Sequence, residues 1–206
     1  MLAMANVFAV HSVGYSLVGH LRQMYRNTDL RDQHPCTFRL ISSGEMADSS
    51  SIDTDATATL SLYLYRITVN EHLRNQRFTP DGPRKPLPLS VDLHYLMTVW
   101  TETAMAEHNI LAWAMNQFEQ EPVFGGTRLS AEAGWQANDM IQVIPEELST
   151  ENLMRIWDAL DPTYRLSVGY VARVVRIDPD AGPDHRPVVA TDFVYENFDD
   201  APGGGE

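Results

Sequence analysis

Apolar and polar positions alternate along PLPLSVDLHYLMTVW, residues 86–100. At a period of two, Leu87, Leu89, Val91, Leu93, Tyr95, Met97 and Val99 share one side, and Pro88, Ser90, Asp92, His94 and Thr98 the other. The pattern predicts a long strand with one buried face, fed by a proline-rich loop. Upstream, Val10, Val13, Leu17, Leu21 and Met24 recur at intervals of three and four, which predicts a helix over about 7–25. Asn6 is its expected N-cap, and Gly14 and Gly19 weaken it, so packing must hold it in place.

CTFRLIS (36–42) reads as a short strand, and SGEMADSSSIDTD after it as a flexible acidic loop. From Ala58 to Val69 the chain is again strand-like. Leu60, Leu62 and Leu64 share a face, Ile67 and Val69 take the other, and the flip near Tyr65 and Arg66 predicts a bulge. EHLRNQRFTPDGPRKP (71–86) is a long connection, of the kind that compact domains keep for function or partners.

TETAMAEHNILAWAMNQFE (101–119) predicts a helix with Thr101 as cap, Glu102 in its first turn, and a stripe of Ala104, His108, Leu111, Met115 and Phe118. Pro122 and the glycines at 125 and 126 end it. DMIQVIPEE (139–147) predicts a strand. Ser149 caps a helix to about 160, with Leu148 and Leu153 spaced as a hydrophobic staple. In YRLSVGYVARVVRID, Leu166, Val168, Tyr170, Ala172 and Val174 face one way, and Arg165, Ser167 and Arg173 the other.

After Ile177 come the loop DPDAGPDHRP, the strand-like VVATDFVYENF (188–198, strongest over 188–195) and a Gly-rich end. There is no internal repeat, no regular βαβ alternation and no Gly-rich phosphate loop. The fold expected is α+β: a mixed, largely antiparallel sheet flanked by two to three helices. The chain divides into a core domain over 1–177 and an acidic tail containing Gly and Pro over 178–206.

Composition narrows the function. At 206 residues, 44% hydrophobic and 21% charged, one domain with a substantial core is expected. A formal charge of −13 repels phosphate backbones, so no nucleic-acid partner is expected. The apolar runs are too short for direct membrane insertion. The N-terminal stretch lacks the basic region of a signal peptide, so a retained cytoplasmic N-terminus starting at Met1 or Met4 is expected. Cys36 is the single cysteine, which excludes an internal disulfide or a multi-cysteine zinc site; it reads as a small half-buried residue at a strand start.

Candidate chemistry is sparse. Glu102, Glu107 and His108 are the best catalytic trio, but neighbours on a helix diverge by about 100° and no HExxH is present. His108 therefore reads as a structural residue of the apolar stripe. Asp48, Asp53 and Asp55 lack EF-hand spacing, and no GxSxG elbow occurs. Trp100, Trp113, Trp135 and Trp157 read as core or interface anchors. No catalytic, cofactor or metal residue emerges, and the chain reads as a binding or assembly module rather than an enzyme.

Four segments, NEHLRN (70–75), LPLSVDLHYLMTVW (87–100), AEHNILAWAM (106–115) and LSTENLMRIWDAL running on to YRLSVGYVARVV (148–175), together resemble one family. It is the N-terminal domain of the cap, or tail-terminator, proteins of phage-tail-like extracellular contractile injection systems. That family's pattern of an LRN turn, a PLxLDLxYL strand, an EH helix, a WxxL helix and a YRLSxxY strand occurs here in order. The resemblance implies a structural cap, a homohexameric ring that closes the distal end of inner tube and sheath and ends their polymerisation. It implies tube, sheath and further copies of the chain as partners, no cofactor, and assembly into a particle after synthesis in the cytoplasm. The alternatives are another tail-like adaptor or tail-completion protein and, more remotely, a hydrolase. The partner-facing residues expected are Arg74, Arg77, Arg84 and Lys85 in the long connection, with Val188, Val189, Phe193 and Tyr195 in the tail.

Overall fold

The computed structural model describes residues 5–47, 52, 57–70, 88–160 and 163–178. The first helix, α1 (Ala9–Tyr25), buries Ala9, Val13, Leu17, Leu21 and Tyr25, a stripe slightly rotated from the one predicted. The N-cap position is Phe8, with no side-chain cap, rather than the expected Asn6; Asn6 instead shapes the turn before the helix, its Oδ1 accepting from the Phe8 N–H at 2.9 Å and its carbonyl from the Ala9 N–H at 3.0 Å. A one-turn helix α2 (Leu30–Gln33) leads to β1 (Cys36–Ile41).

The acidic loop expected after β1 is instead opened by a short helix, α3 (Ser43–Ala47). The cause is a capping box. Ser42 Oγ accepts from the Glu45 N–H at 3.3 Å, while Glu45 Oε2 accepts from the Ser42 N–H at 2.9 Å. Its Met46, like Ile52 beyond it, is fully buried. The remaining elements are β2 (Ala58–Val69), β3 (Leu89–Trp100), α4 (Ala104–Gln120), β4 (Val123–Gly125), a 3-10 turn (Ala131–Ala133), β5 (Met140–Glu146), α5 (Thr150–Asp158) and β6 (Ser167–Ile177).

The strands form one six-stranded sheet in the order β1-β2-β3-β6-β5-β4, with only the β1–β2 pair parallel. The expected α+β class, with its mixed and largely antiparallel sheet, is what the chain adopts. The bulge predicted near Tyr65 is present, as a register shift between Leu64 and Arg66.

Strand β3 departs from its prediction in one respect: it is buried on both faces. On one side Val91, Leu93, Tyr95, Met97 and Val99 join a core covered by α1 and α4. On the other, Leu96 and Trp100 join a second core with Ile41, Met46, Ile52 and Trp157, supplied by α3, α5 and the sheet. Alternation marked that second face as polar because Ser, His and Thr occupy it. The hydroxyls on this face are bonded sideways, to neighbours across the sheet. Trp100 Nε1 donates to Ser61 Oγ at 2.7 Å, Thr98 and Ser167 hydroxyls lie 2.8 Å apart, and those of Thr37 and Thr59 2.9 Å apart.

Helix α4 begins at Ala104 after Thr103, so Thr101 and Glu102 lie outside it. Its buried stripe is Ala106, Ile110, Leu111, Ala114 and Phe118, whereas Ala104, His108 and Met115 are exposed. Aromatic packing sets that rotation. Trp113 meets Tyr25 at 4.7 Å between ring centroids, and Phe118 meets Tyr170 at 5.0 Å. The place of His108 in the buried stripe is thereby overturned, since its side chain is 64% exposed. Trp157 is buried as expected, at 3% exposure. Ser149 Oγ accepts from the Asn152 N–H at 3.2 Å, which confirms the predicted cap of α5.

In β6, Tyr170 and Ala172 face the first core as predicted, but Val175 replaces Val174 there. A register shift against β3 between Val91 and Leu93 accounts for the change. The glycines expected only to stop α4 instead belong to β4 and the turn after it. Gly126 has no alternative: a Cβ there would fall 1.9 Å from the Gln136 carbonyl oxygen. Among the described residues no helix is long and apolar enough to cross a membrane.

Candidate functional site

Three features converge on one end of the sheet. β2 ends there at Val69, paired with Val91 of β3, which pairs in turn with Val175 of β6. Asn70 N–H donates to the Ser90 carbonyl at 2.9 Å, fixing the two roots of the long connection side by side. Asp178, just past β6, donates its N–H to the Ala5 carbonyl at 2.8 Å, so the root of the C-terminal tail lies beside the start of α1. The residues singled out in these segments, Arg74, Arg77, Arg84, Lys85, Val188, Val189, Phe193 and Tyr195, lie outside the described residues, as do Asp48, Asp53 and Asp55.

On the second face of the sheet near this end sits a polar cluster that sequence reasoning missed. Glu146, at the end of β5, takes Tyr65 Oη at 2.7 Å on Oε2 and Arg66 Nη2 at 2.8 Å on Oε1. His94 Nδ1 lies 3.0 Å from the same Oε1, and His94 Nε2 lies 2.9 Å from Thr68 Oγ1. The His94 and Glu146 side chains are only 8% and 12% exposed. Burial and the neighbouring carboxylate push the Tyr65 hydroxyl well above the usual tyrosine range. The cluster ties three strands together. Thr68 Oγ1, His94 and Glu146 stand in hydrogen-bond order, hydroxyl to imidazole to carboxylate, and among the described residues no three His, Cys, Asp or Glu side chains gather in a metal-binding arrangement. Only the strand register could have revealed it, because His94 and Glu146 are 52 residues apart.

On the first face the sheet carries a groove of about 800 Å³ beside an open strand edge. β1 pairs with β2 only from Ala58 to Tyr63, and among the described residues nothing continues that pairing along Leu64–Val69. Ile67 and Val69, on this stretch, are 49% and 51% exposed. Val7, Phe8 and Tyr15 of the α1 region form the opposite wall, also exposed. Tyr95 lies at the inner end, fully buried; a Cβ at Gly14 would come within 3.2 Å of its hydroxyl, which has no partner among the described residues.

The other sequence candidates do not assemble into a site. Glu102 is exposed ahead of α4, and among the described residues His108 Nε2 reaches only Glu107 Oε2, at 3.8 Å. Cys36 is half-buried as expected; burial pushes its thiol up to about 12, leaving little reactive thiolate near neutral pH.

A family model described as the Pvc16 N-terminal domain matches residues 12–191. Among solved structures, the chain is similar to the sheath/tube terminator of the extracellular contractile injection system PVC in its extended state. Identity is 20%, the TM-score is 0.52, and the match covers 98% of this chain and 67% of that one. The anti-feeding prophage cap, described as a tube-terminating cap, is 18% identical with a TM-score of 0.47, over 84% of this chain and 60% of that chain. No curated protein matches the chain.

Proposed function

The chain belongs to the Pvc16 N-terminal domain family, and we propose that it is a structural cap that closes the inner tube and sheath of a contractile injection system and ends their polymerisation. The family match over residues 12–191 carries this reading. The fold it shares with a sheath/tube terminator supports it. The role is mechanical and needs no catalysis, cofactor or metal.

In this reading the subunits form a homohexameric ring, made in the cytoplasm and then built into the particle. A ring closed by head-to-tail contacts needs two different faces held at a fixed angle. A sheet packed on both faces supplies that stiffness, because a close-packed interior resists deformation. Its central strand β3 is a rigid spine with a core on either side. The core domain over 1–177 is the ring-former. The connection carrying Arg74, Arg77, Arg84 and Lys85 is the contact to tube or sheath, since a basic loop on a chain of net charge −13 attracts acidic partners locally.

The test is cryo-EM of particles assembled with the native chain, without it, and with the four basic residues neutralised together. Omitting the chain should give tubes and sheaths of uncontrolled length, and the neutralised variant should leave particles uncapped. Six copies per capped end are expected; a single copy, or particles of normal length without the chain, would defeat the reading.

A further inference from the structure

We propose that the chain's own C-terminal segment, Val188–Phe198, docks as a strand on the open edge of β2 at Leu64–Val69, antiparallel to it and end to end with β1. The inference stands on the subunit alone and does not depend on the cap reading.

The edge itself is the first observation. β1 stops at Ile41 opposite Tyr63, and β2 runs six residues further with one side unpaired among the described residues. An unpaired edge flanked by exposed apolar side chains recruits an extended chain. The second observation is the groove of about 800 Å³ beside this edge, whose far wall is made by the exposed apolar side chains of Val7, Phe8 and Tyr15.

The occupant follows from where the chain leaves the fold. β6 runs parallel to β2 and ends at the Val69 end of the sheet. Asp178 is bonded there to Ala5, next to Val7 and Phe8 of the groove wall. β6 lies two strand spacings, about 10 Å, from β2. The nine residues 179–187 reach about 30 Å when extended, enough to turn back onto the edge. The segment has the required pattern. Val189, Phe193 and Tyr195 fall on one side at a period of two, to lie along Ile67 and Val69 on the groove face. Asp192 and Glu196 fall on the other, toward half-exposed Arg66. Docked in this way, the tail removes an edge that would otherwise invite a stray strand.

Hydrogen–deuterium exchange on the full-length protein tests this. In the native chain both the β3-facing and the edge-facing amides of Leu64–Val69 should be protected, together with amides of 188–198, at every protein concentration. Thr191→Pro, which cannot donate a backbone bond and stiffens the segment, should release the edge-facing amides and those of 188–198 by at least about tenfold in rate, leaving the rest of the sheet protected. Fast exchange of the edge-facing amides in the native chain would overturn the proposal. Protection that appears only as concentration rises would overturn it too, by assigning the edge to a second copy. Protection unchanged by Thr191→Pro would do the same, by assigning it to some other segment.

Discussion

Replacing Trp157 by alanine tests the second core directly. The indole is 3% exposed and packs between Trp100, at 6.2 Å between ring centroids, and Tyr164, at 6.1 Å. It fastens α5, a helix of nine residues, to the sheet. A helix that short is not stable alone, so its position depends on the side chains it buries. An aromatic side chain of this kind buries roughly 150–250 Å², which at about 25 cal/mol per Å² is worth about 4–6 kcal/mol. Measured Trp-to-Ala losses run at roughly 3–5 kcal/mol. Trp157 Nε1 is buried without a partner among the described residues, so its removal sacrifices no hydrogen bond. The expected loss is therefore about 4 kcal/mol, from apolar contact and the cavity left behind. Urea unfolding followed by far-UV circular dichroism measures it, with Trp157→Phe as the control that keeps an aromatic ring and loses less. A loss below about 1 kcal/mol would refute the claim that this second core holds the sheet from behind.

Two glycines should respond with opposite signs. Gly19→Ala, in α1 with nothing within 4 Å of the new Cβ, should raise stability by up to about 1 kcal/mol, whereas Gly126→Ala, forced against the Gln136 carbonyl, should cost at least about 2 kcal/mol in the same unfolding assay. Glu146→Ala should cost roughly 3 kcal/mol, because it leaves buried His94 and Tyr65 without their common acceptor, while Glu146→Gln should retain part of the loss; equal stability of all three proteins would show the cluster to be idle. Burial lowers the affinity of His20 for a proton below its ordinary 6.5, opposed by Glu121 and assisted by Arg128. The unfolded chain then binds that proton more readily, so this contribution to stability is complete above pH 6.5 and is lost as pH falls through the folded value; an NMR titration midpoint of His20 at or above 6.5 would contradict it.

What the sequence determined by itself is whatever depends on near neighbours. The periods of β2, β3 and β6, the bulge beside Arg66, the cap at Ser149 and the burial of Trp157 all follow from side chains within a few residues of one another. The Ser42–Glu45 capping box lay within the same reach, but the acidic run after it masked it. Tertiary structure decided the rest. An apolar residue on every side left α4 without a marked phase, and Trp113 and Phe118 chose it by meeting rings from α1, β1 and β6. Burial of both faces of β3 required α3 and α5 to arrive from outside the strand. Among the described residues the edge at Leu64–Val69 is open because β1 is shorter than the strand it pairs with. Glu146 meets His94 only because β5 and β3 both flank β6. Periodicity reports which way a side chain points along its own element, whereas the identity of what it meets there is set by elements dozens of residues away.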